Sequence, residues 1–489
     1  MFGTVLANNN IDLSVNYGEI LALLGENGSG KTTLMNMLSG IYHPDRGSIY
    51  VDGKEASIKS PTDSQKYQIG MIHQHFKLID VFSAIDNVVL GSGRSASKSD
   101  KKKAKEICDS FGLSVDLDKK IYDMSVGEKQ NVEILKVLFR GAKILILDEP
   151  TAVLTPQEIN VLFDILWKMK ENGCAIIIIT HKLNEVMEIS DRVTILRKGE
   201  SIGTVITSKT TEKELTELMV GREVTLEIDR PDPKDAKELL RVCNLTVMKS
   251  DGTIGLDDID FEVNTGEILG VAGIAGSGQK ELCETIAGLM PAKTGAILYK
   301  KENIVGKKPK EIIDLGIQMS FVPEDRLGMG LVASMSVADN MLLKNYNDSK
   351  GIFTKKSGAR SLATKLVDEL EIKTPSIDTP VRMLSGGNVQ KVLLGREISA
   401  SPNLLITAYP VRGLDINSSY TIYNLLNEQK QKGVAVIFIG EDLDVLLQLS
   451  DRIMVLCHGK ITGIVDAKSV TKEQIGLMMT GKTMKEAGI

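Results

Sequence analysis

The sequence predicts an α/β protein made of two tandem copies of one domain, each a mostly parallel sheet wrapped by helices. Length, an internal repeat and the alternation of apolar patterns carry this prediction. At 489 residues the chain exceeds what one hydrophobic core usually organises. Gly18-Glu19-Ile20-Leu21 through Gly25 recurs as Gly266-Glu267-Ile268-Leu269 through Gly273 at a constant offset. Ser190-Asp191-Arg192-Val193 recurs as Ser450-Asp451-Arg452-Ile453, and Leu218-Met219-Val220-Gly221 as Met478-Met479-Thr480-Gly481, at a larger offset. The second copy therefore carries a net insertion in its middle. Expected bounds are 1–222 and 238–482, joined by 223–237, where Pro231 and Pro233 among mixed charges suit a short exposed linker. Within the copies, short β-branched runs at 20–24, 144–147, 175–180 and 434–439 alternate with helical patterns. Leu147-Asp148 and Ile439-Gly440 then fall at strand carboxyl ends, where open α/β sheets place their ligands.

Composition narrows the class. Apolar residues at 42% and charged residues at 25% are ordinary for a globular chain. A net charge of −5 argues against a surface dedicated to nucleic acid, which is held by clustered Lys and Arg. The longest apolar run, 174–179, is far short of the roughly 20 residues that cross a bilayer, and no signal segment opens the chain. The five cysteines (Cys108, Cys174, Cys243, Cys283, Cys457) lack metal-ligand spacing and read as buried thiols in a reducing cytoplasm. The basic run 98–105 reads as the head of a solvated helix, with lipid headgroup contact as the alternative, and Met35 and Met37 as core filler.

The chemistry begins after the first strand. Gly25, Glu26, Asn27, Gly28, Ser29, Gly30, Lys31 and Thr32 fit the pattern of a phosphate-binding loop, with a helix expected from Thr33. Such glycines let backbone N–H groups turn inward around phosphates and the helix start adds positive potential. Lys31 would reach the β- and γ-phosphates and Thr32 would offer its hydroxyl to Mg²⁺. Downstream, the run 144–147 ends in Asp148 and Glu149; the first is assigned to Mg²⁺ through water and the second to polarising an attacking water. His181 follows the run 175–180 and is placed to contact the γ-phosphate, although a histidine alone reads as a core or surface residue. Gln74, in Met71-Ile72-His73-Gln74-His75-Phe76, is equally mute by itself.

Met124-Ser125-Val126-Gly127-Glu128-Lys129-Gln130 heads a further helical pattern. In order, the loop, Gln74, this Ser-x-Gly stretch, Asp148-Glu149 and His181 resemble an ABC transporter ATPase over essentially the whole chain. The resemblance implies two tandem P-loop domains, each with a helical subdomain and a small antiparallel β subdomain. It also implies ATP and Mg²⁺ as cofactors, with Thr32, Gln74 and Asp148 toward the metal and Lys31, Gln74, Glu149 and His181 in catalysis. Thr33 joins the phosphate loop, and Phe2 stands at the distance before Lys31 where an adenine-stacking aromatic is expected. The second copy has a strand-like run at 239–245 before its equivalent point, so the first is expected to lack its opening strand.

In the second copy Lys31 becomes Gln279, Thr32 Lys280, Gln74 Glu324, Asp148 Ala408, Glu149 Tyr409 and His181 Glu441. Every catalytic charge is gone, yet Ser385, Gly386, Gly387 and Asn388 keep a full signature. Members of this family close head to tail, each nucleotide between one P-loop and the opposite signature. The expectation is one complete site, from the first P-loop and the second signature, and one defective site. Phe321-Val322-Pro323-Glu324-Asp325-Arg326, Arg412-Gly413-Leu414-Asp415 and Glu149-Pro150-Thr151-Ala152-Val153-Leu154-Thr155 resemble the fused double ATPases of simple-sugar importers and their nucleoside-importing relatives. His73-Gln74-His75-Phe76 and Gly278-Gln279 favour the nucleoside branch, whereas Tyr409 departs from the smaller polar residue expected there.

The resemblance implies separate membrane permease subunits, an extracytoplasmic receptor or lipoprotein acting indirectly, no nucleic acid, and a peripheral place on the cytoplasmic face of the membrane. A sugar as solute, a membrane-independent duplicated ATPase acting on ribosomes or DNA, and a nucleotide-binding regulator without turnover are the alternatives.

Overall fold

A computed structural model describes residues 6–489 other than 27, 74–75, 91–94, 152–153, 181, 222–227, 234–235, 250, 275, 322–329, 346–355, 413 and 415. The chain divides into two compact units, Met1–Thr225 and Leu226–Ile489.

The first unit is built on a six-stranded sheet ordered β4-β5-β6-β1-β7-β8. Its strands are β1 (Ile20–Gly25), β4 (Ile69–Ile72), β5 (Ile144–Asp148), β6 (Ala175–Ile179), β7 (Arg192–Arg197) and β8 (Glu200–Ile206). All neighbours run parallel except β7 and β8. β1 and β6 are buried along their whole length, which is why they read as continuous apolar runs rather than alternating ones. Helices begin where the sequence offers caps. Thr155 and Glu158 make a reciprocal capping box with Pro156 at the first turn of the helix Pro156–Glu171, and Ser97 and Asp100 do the same for Lys98–Phe111.

The second unit repeats the arrangement as β14-β15-β16-β11-β17-β18. These are Ile317–Phe321, Leu404–Ala408, Ala435–Ile439, Ile268–Ala272, Arg452–Cys457 and Lys460–Asp466. Two of the repeated phrases in the sequence, those at Glu19-Ile20 and Asp191-Arg192 and their equivalents, form a matching clamp at the foot of each sheet. The Ile20 N–H donates to Asp191 (2.9 Å) and the Ile268 N–H to Asp451 (2.8 Å). Lys170 and Lys430 pair with those aspartates at 2.6 Å each, while Arg192 meets Glu19 at 3.0 Å and Arg452 meets Glu267 at 2.6 Å. These positions are shared by the copies because they hold the central strands together, independently of any chemistry above.

The small antiparallel subdomain differs between units. The second has a four-stranded sheet, β10-β9-β12-β13, formed by Ile254–Asn264, Glu238–Met248, Ala292–Tyr299 and Glu302–Asn303. The run 239–245 falls inside β9, which pairs along β10. In the first unit residues 6–16, equivalent to β10, form no strand among the described residues, and the antiparallel part is the hairpin β2 (Ile49–Val51) with β3 (Lys54–Ala56). A separate helical layer, Val337–Asn345, Ser357–Glu369 and Gly386–Ser399 in the second unit, buries its own cluster around Met341, Leu366 and Leu393.

Two expectations change here. The stretch expected to be an exposed linker is, in its described part, exposed at 229, 232, 233, 236 and 237 but anchored to the second unit at 228–230. Arg230 donates to the carbonyls of Leu447 and Ser450, Asn427 donates to the Asp229 carbonyl (2.6 Å), and Ile228 packs on the core. A guanidinium at the end of the helix Leu443–Leu449 satisfies carbonyls that the helix leaves open. Cys243 is half-buried, on a strand of the antiparallel sheet, whereas Cys108, Cys174, Cys283 and Cys457 are buried free thiols.

Candidate functional site

The site sits at the carboxyl ends of β1, β5 and β6. The helix after β1 begins at Lys31 and runs to Leu38, two residues earlier than its sequence pattern suggests, because Gly30 acts as its N-cap in a left-handed conformation (φ 97°). A side chain at Gly30 would meet the Ala7 carbonyl and Asn8 at 2.5 Å, and one at Gly25 would meet the Leu196 carbonyl at 2.3 Å. Both positions therefore need glycine.

Lys31 is 8% exposed, and its ammonium donates to the carbonyls of Gly25 (2.7 Å) and Glu26 (3.0 Å). Burial pulls its pKa down, opposed by Glu149, Asp148 and Glu26. Asp148 is pushed up to about 6, by burial first and by neighbouring Glu149 second, with Lys31 acting the other way. The three groups thus share one electrostatic environment. Glu149 lies just beyond β5 with φ 47°, and its N–H donates to the Ile179 carbonyl (2.8 Å), turning its side chain out of the sheet line.

These residues fit a nucleoside triphosphate. Ser29 is buried with its hydroxyl unpartnered among the described residues, at the centre of the loop. Thr32 is exposed at the helix start and Thr33 half-buried behind it. The donor set of Thr32 and Asp148 offers hard oxygen ligands suited to a magnesium ion. Phe2, Asn27, Gln74 and His181 lie outside the described residues.

A network that the sequence reading missed flanks position 181. The Glu185 carboxylate, 3% exposed as a residue, accepts from Thr151 (2.6 Å) and Thr180 (3.2 Å) and pairs with Lys182 (2.9 Å). Lys182 also donates to the Thr151 carbonyl (3.3 Å). It ties the turn after Glu149 to both chain neighbours of His181. The equivalent positions of the second unit are Val411, Gly440 and Val445, so no such network exists there.

The two signature helices differ at their first turn. In Val126–Phe139 the Ser125 hydroxyl accepts from the Glu128 N–H (3.2 Å) and the Glu128 carboxylate accepts from the Ser125 N–H (2.7 Å). Lys119 pairs with Glu128 at 2.7 Å and, with those hydrogen bonds, holds its carboxyl below the usual range. A negative charge of the chain itself thus occupies this helix start. In Gly386–Ser399, Ser385 is exposed and its hydroxyl accepts from Asn388 (2.8 Å), which in turn accepts from the Lys373 N–H (2.9 Å). No acid stands in this first turn, which leaves Gly386 and Gly387 open to an anion.

The basic run 98–105 heads a largely exposed helix, two of whose lysines are engaged within the first unit. Lys101 pairs with Asp118 (2.5 Å), and Lys103 donates to the Phe139 carbonyl (2.8 Å) while lying over the Phe139 ring. No described helix is long and apolar enough to cross a membrane.

The sequence profile described as ABC transporter matches residues 8–152 and 256–410. The chain belongs to the ABC transporter family. It is an ATP-binding ATPase of that family, and its relatives match it end to end. It is 42% identical to the nucleoside import ATP-binding protein NupA of Lactococcus lactis subsp. cremoris, covering 99% of this chain and 97% of that one. It is 43% identical to the guanosine import ATP-binding protein NupO of Bacillus subtilis, covering 100% and 97%, and 38% identical to the ribose import ATP-binding protein RbsA of Clostridium tetani, covering 97% and 94%. Among solved structures, a chain from the complex of archaeal ribosomal stalk protein aP1 and archaeal ribosome recycling factor aABCE1 gives a TM-score of 0.59. It is 20% identical and covers 91% of this chain and 84% of that one, a likeness of fold alone.

Proposed function

We propose that this chain is the ATP-hydrolysing motor of an importer for a nucleoside or simple sugar, working through one complete catalytic site. The observation that carries this reading is the asymmetry of the two units. Lys31, Asp148 and Glu149 share one electrostatic environment in the first, while the second has Gln279, Ala408 and Tyr409 on the same framework.

In this reading the triphosphate settles on the N–H groups of residues 28–33. Lys31 exchanges its bonds with the Gly25 and Glu26 carbonyls for the β- and γ-phosphates. Thr32 and Asp148, with Gln74, would hold a magnesium ion, which when bound neutralises charge developing on the phosphoryl oxygens. Glu149 orients and deprotonates the attacking water, and His181 contacts the γ-phosphate. The open helix start at Ser385, Gly386, Gly387 and Asn388 supplies the remaining donors, with the two units closing head to tail. Binding closes the pair and hydrolysis reopens it. Permease subunits in the membrane, with an extracytoplasmic receptor, carry the solute, and the chain works peripherally on the cytoplasmic face.

A nucleoside is favoured as the solute by the names of NupA and NupO, each above 40% identity over essentially the full length. Reconstitution with the permease and receptor tests this: radiolabelled nucleoside should enter vesicles only with ATP, and uptake of ribose instead would select the sugar reading. Absence of ATP turnover in the complete complex would reject the motor.

A further inference from the structure

The second unit has rebuilt the floor of its lost site. Met35 is fully buried in the cluster that holds Leu23, Ile146, Ile177 and Ile179. Its equivalent, Cys283, is fully buried in a cluster holding the matching residues Val271, Ile406, Ile437 and Ile439. Two positions have shrunk, Met35 to Cys283 and Leu23 to Val271, while the position above has grown from Glu149 to Tyr409.

Tyr409 leaves the end of β15 as Glu149 leaves β5. Its φ is 52° against 47°, and its N–H donates to the Ile439 carbonyl at the same 2.8 Å. The side chain therefore enters the space that Glu149 enters in the first unit. There it packs against the cluster that contains Cys283, Ala408 and Ile439.

The loop above has lost its positive charge. Gln279, 3% exposed, donates a neutral amide to the Ile274 carbonyl (3.2 Å). The side chain of Lys280 is 62% exposed and reaches Glu284 at 3.8 Å along its own helix. Glu441, where the first unit has His181, adds a carboxylate paired with Arg412 at 3.5 Å.

We infer that Tyr409 is a plug: its ring fills the space that a metal-bound γ-phosphoryl group needs, in room released by Cys283 and Val271, so that the second unit takes no Mg·ATP. The inference rests on the first unit being the ATP site and adds that the chain carries a single triphosphate. Burial pushes the Tyr409 phenol up to about 12, so it stays a neutral hydroxyl and cannot stand in for the base that it replaces.

Two experiments test the plug. Equilibrium dialysis of the full chain with a magnesium complex of a non-hydrolysable ATP analogue should give one equivalent bound, and none for Lys31→Ala. Two equivalents, or one surviving in Lys31→Ala, would overturn it. This occupancy is read without turnover, so failure of the first-unit assignment shows separately, as hydrolysis that persists in Glu149→Gln. The second experiment reads packing. Cys283→Met should overfill the floor beneath the ring and lower the melting temperature by roughly 2–8 °C. In a Tyr409→Ala background the same change should cost less than half as much, since the ring is no longer there to clash. Equal shifts in both backgrounds would show that Tyr409 does not occupy this space.

Discussion

Glu185→Ala removes the acceptor that joins the turn after Glu149 to the neighbours of His181. The carboxylate is buried, its side chain 4% exposed, and serves Thr151 at 2.6 Å, Thr180 at 3.2 Å and Lys182 at 2.9 Å. Breaking a buried ion pair by deleting one partner costs about 3–5 kcal/mol, because the other charge stays desolvated. The Lys182 side chain is 21% exposed and recovers part of its hydration, so the lower end, about 3 kcal/mol, is expected. For a unit of this size that lowers the melting temperature by roughly 6–12 °C. Calorimetry of the full chain would show this as an earlier transition for the first unit. Because the network brackets position 181, kcat should fall more than affinity for ATP. Glu185→Gln keeps an acceptor oxygen and should recover part of both. A melting temperature and kcat unchanged in Glu185→Ala would refute the reasoning.

The remaining predictions concern the site directly. Glu149→Gln should abolish turnover while ATP binding persists, since the amide keeps the shape without the basicity, whereas Tyr409→Phe should leave turnover nearly unchanged; comparable losses from both would contradict a single working site. Asp148, held at about 6, binds a proton in the folded state that the unfolded chain has already released. Its contribution to the stability of the nucleotide-free protein therefore declines as pH rises from about 4 to about 6. Metal affinity should run the other way, weakening by about tenfold for each pH unit below that value, and titrations of Asp148→Asn should lose the dependence. Arg230→Ala should expose the docked segment, so that limited proteolysis cuts near it sooner; an unchanged cleavage rate would deny the docking a stabilising role.

Much of this was written in local patterns. The parallel strands stand out as apolar runs, and the clamp at the foot of each sheet shows in the sequence as repeated phrases. The P-loop was legible because glycine spacing states a backbone requirement directly. Its helix start was not, since the left-handed cap at Gly30 is set by the close approach of Ala7 and Asn8, which are remote in sequence. Glu185 escaped notice because its partners lie 34, 5 and 3 residues away and only the fold gathers them. The capping of Ser125 by Glu128 was spelled in the sequence as Ser-x-x-Glu, yet its consequence, a signature already filled by its own carboxylate, needed the geometry. The docked segment at Arg230 was hidden by its proline-rich composition, which describes exposure but not the carbonyls left open by a distant helix.

The proposed head-to-tail pairing of one good P-loop with the signature of the other unit is tested most directly by exchanging two serines. Ser385→Arg fills the open helix start that should face the γ-phosphate, and loss of one such preorganised donor typically costs on the order of 10² to 10³ in rate. Ser125→Arg alters a helix start that, in the proposed pairing, would face the site without a lysine and is already occupied by Glu128. Steady-state ATPase activity of the two variants in the intact transporter should therefore fall steeply for Ser385→Arg and only slightly for Ser125→Arg. A larger loss from Ser125→Arg would show that the working site is not assembled in this way.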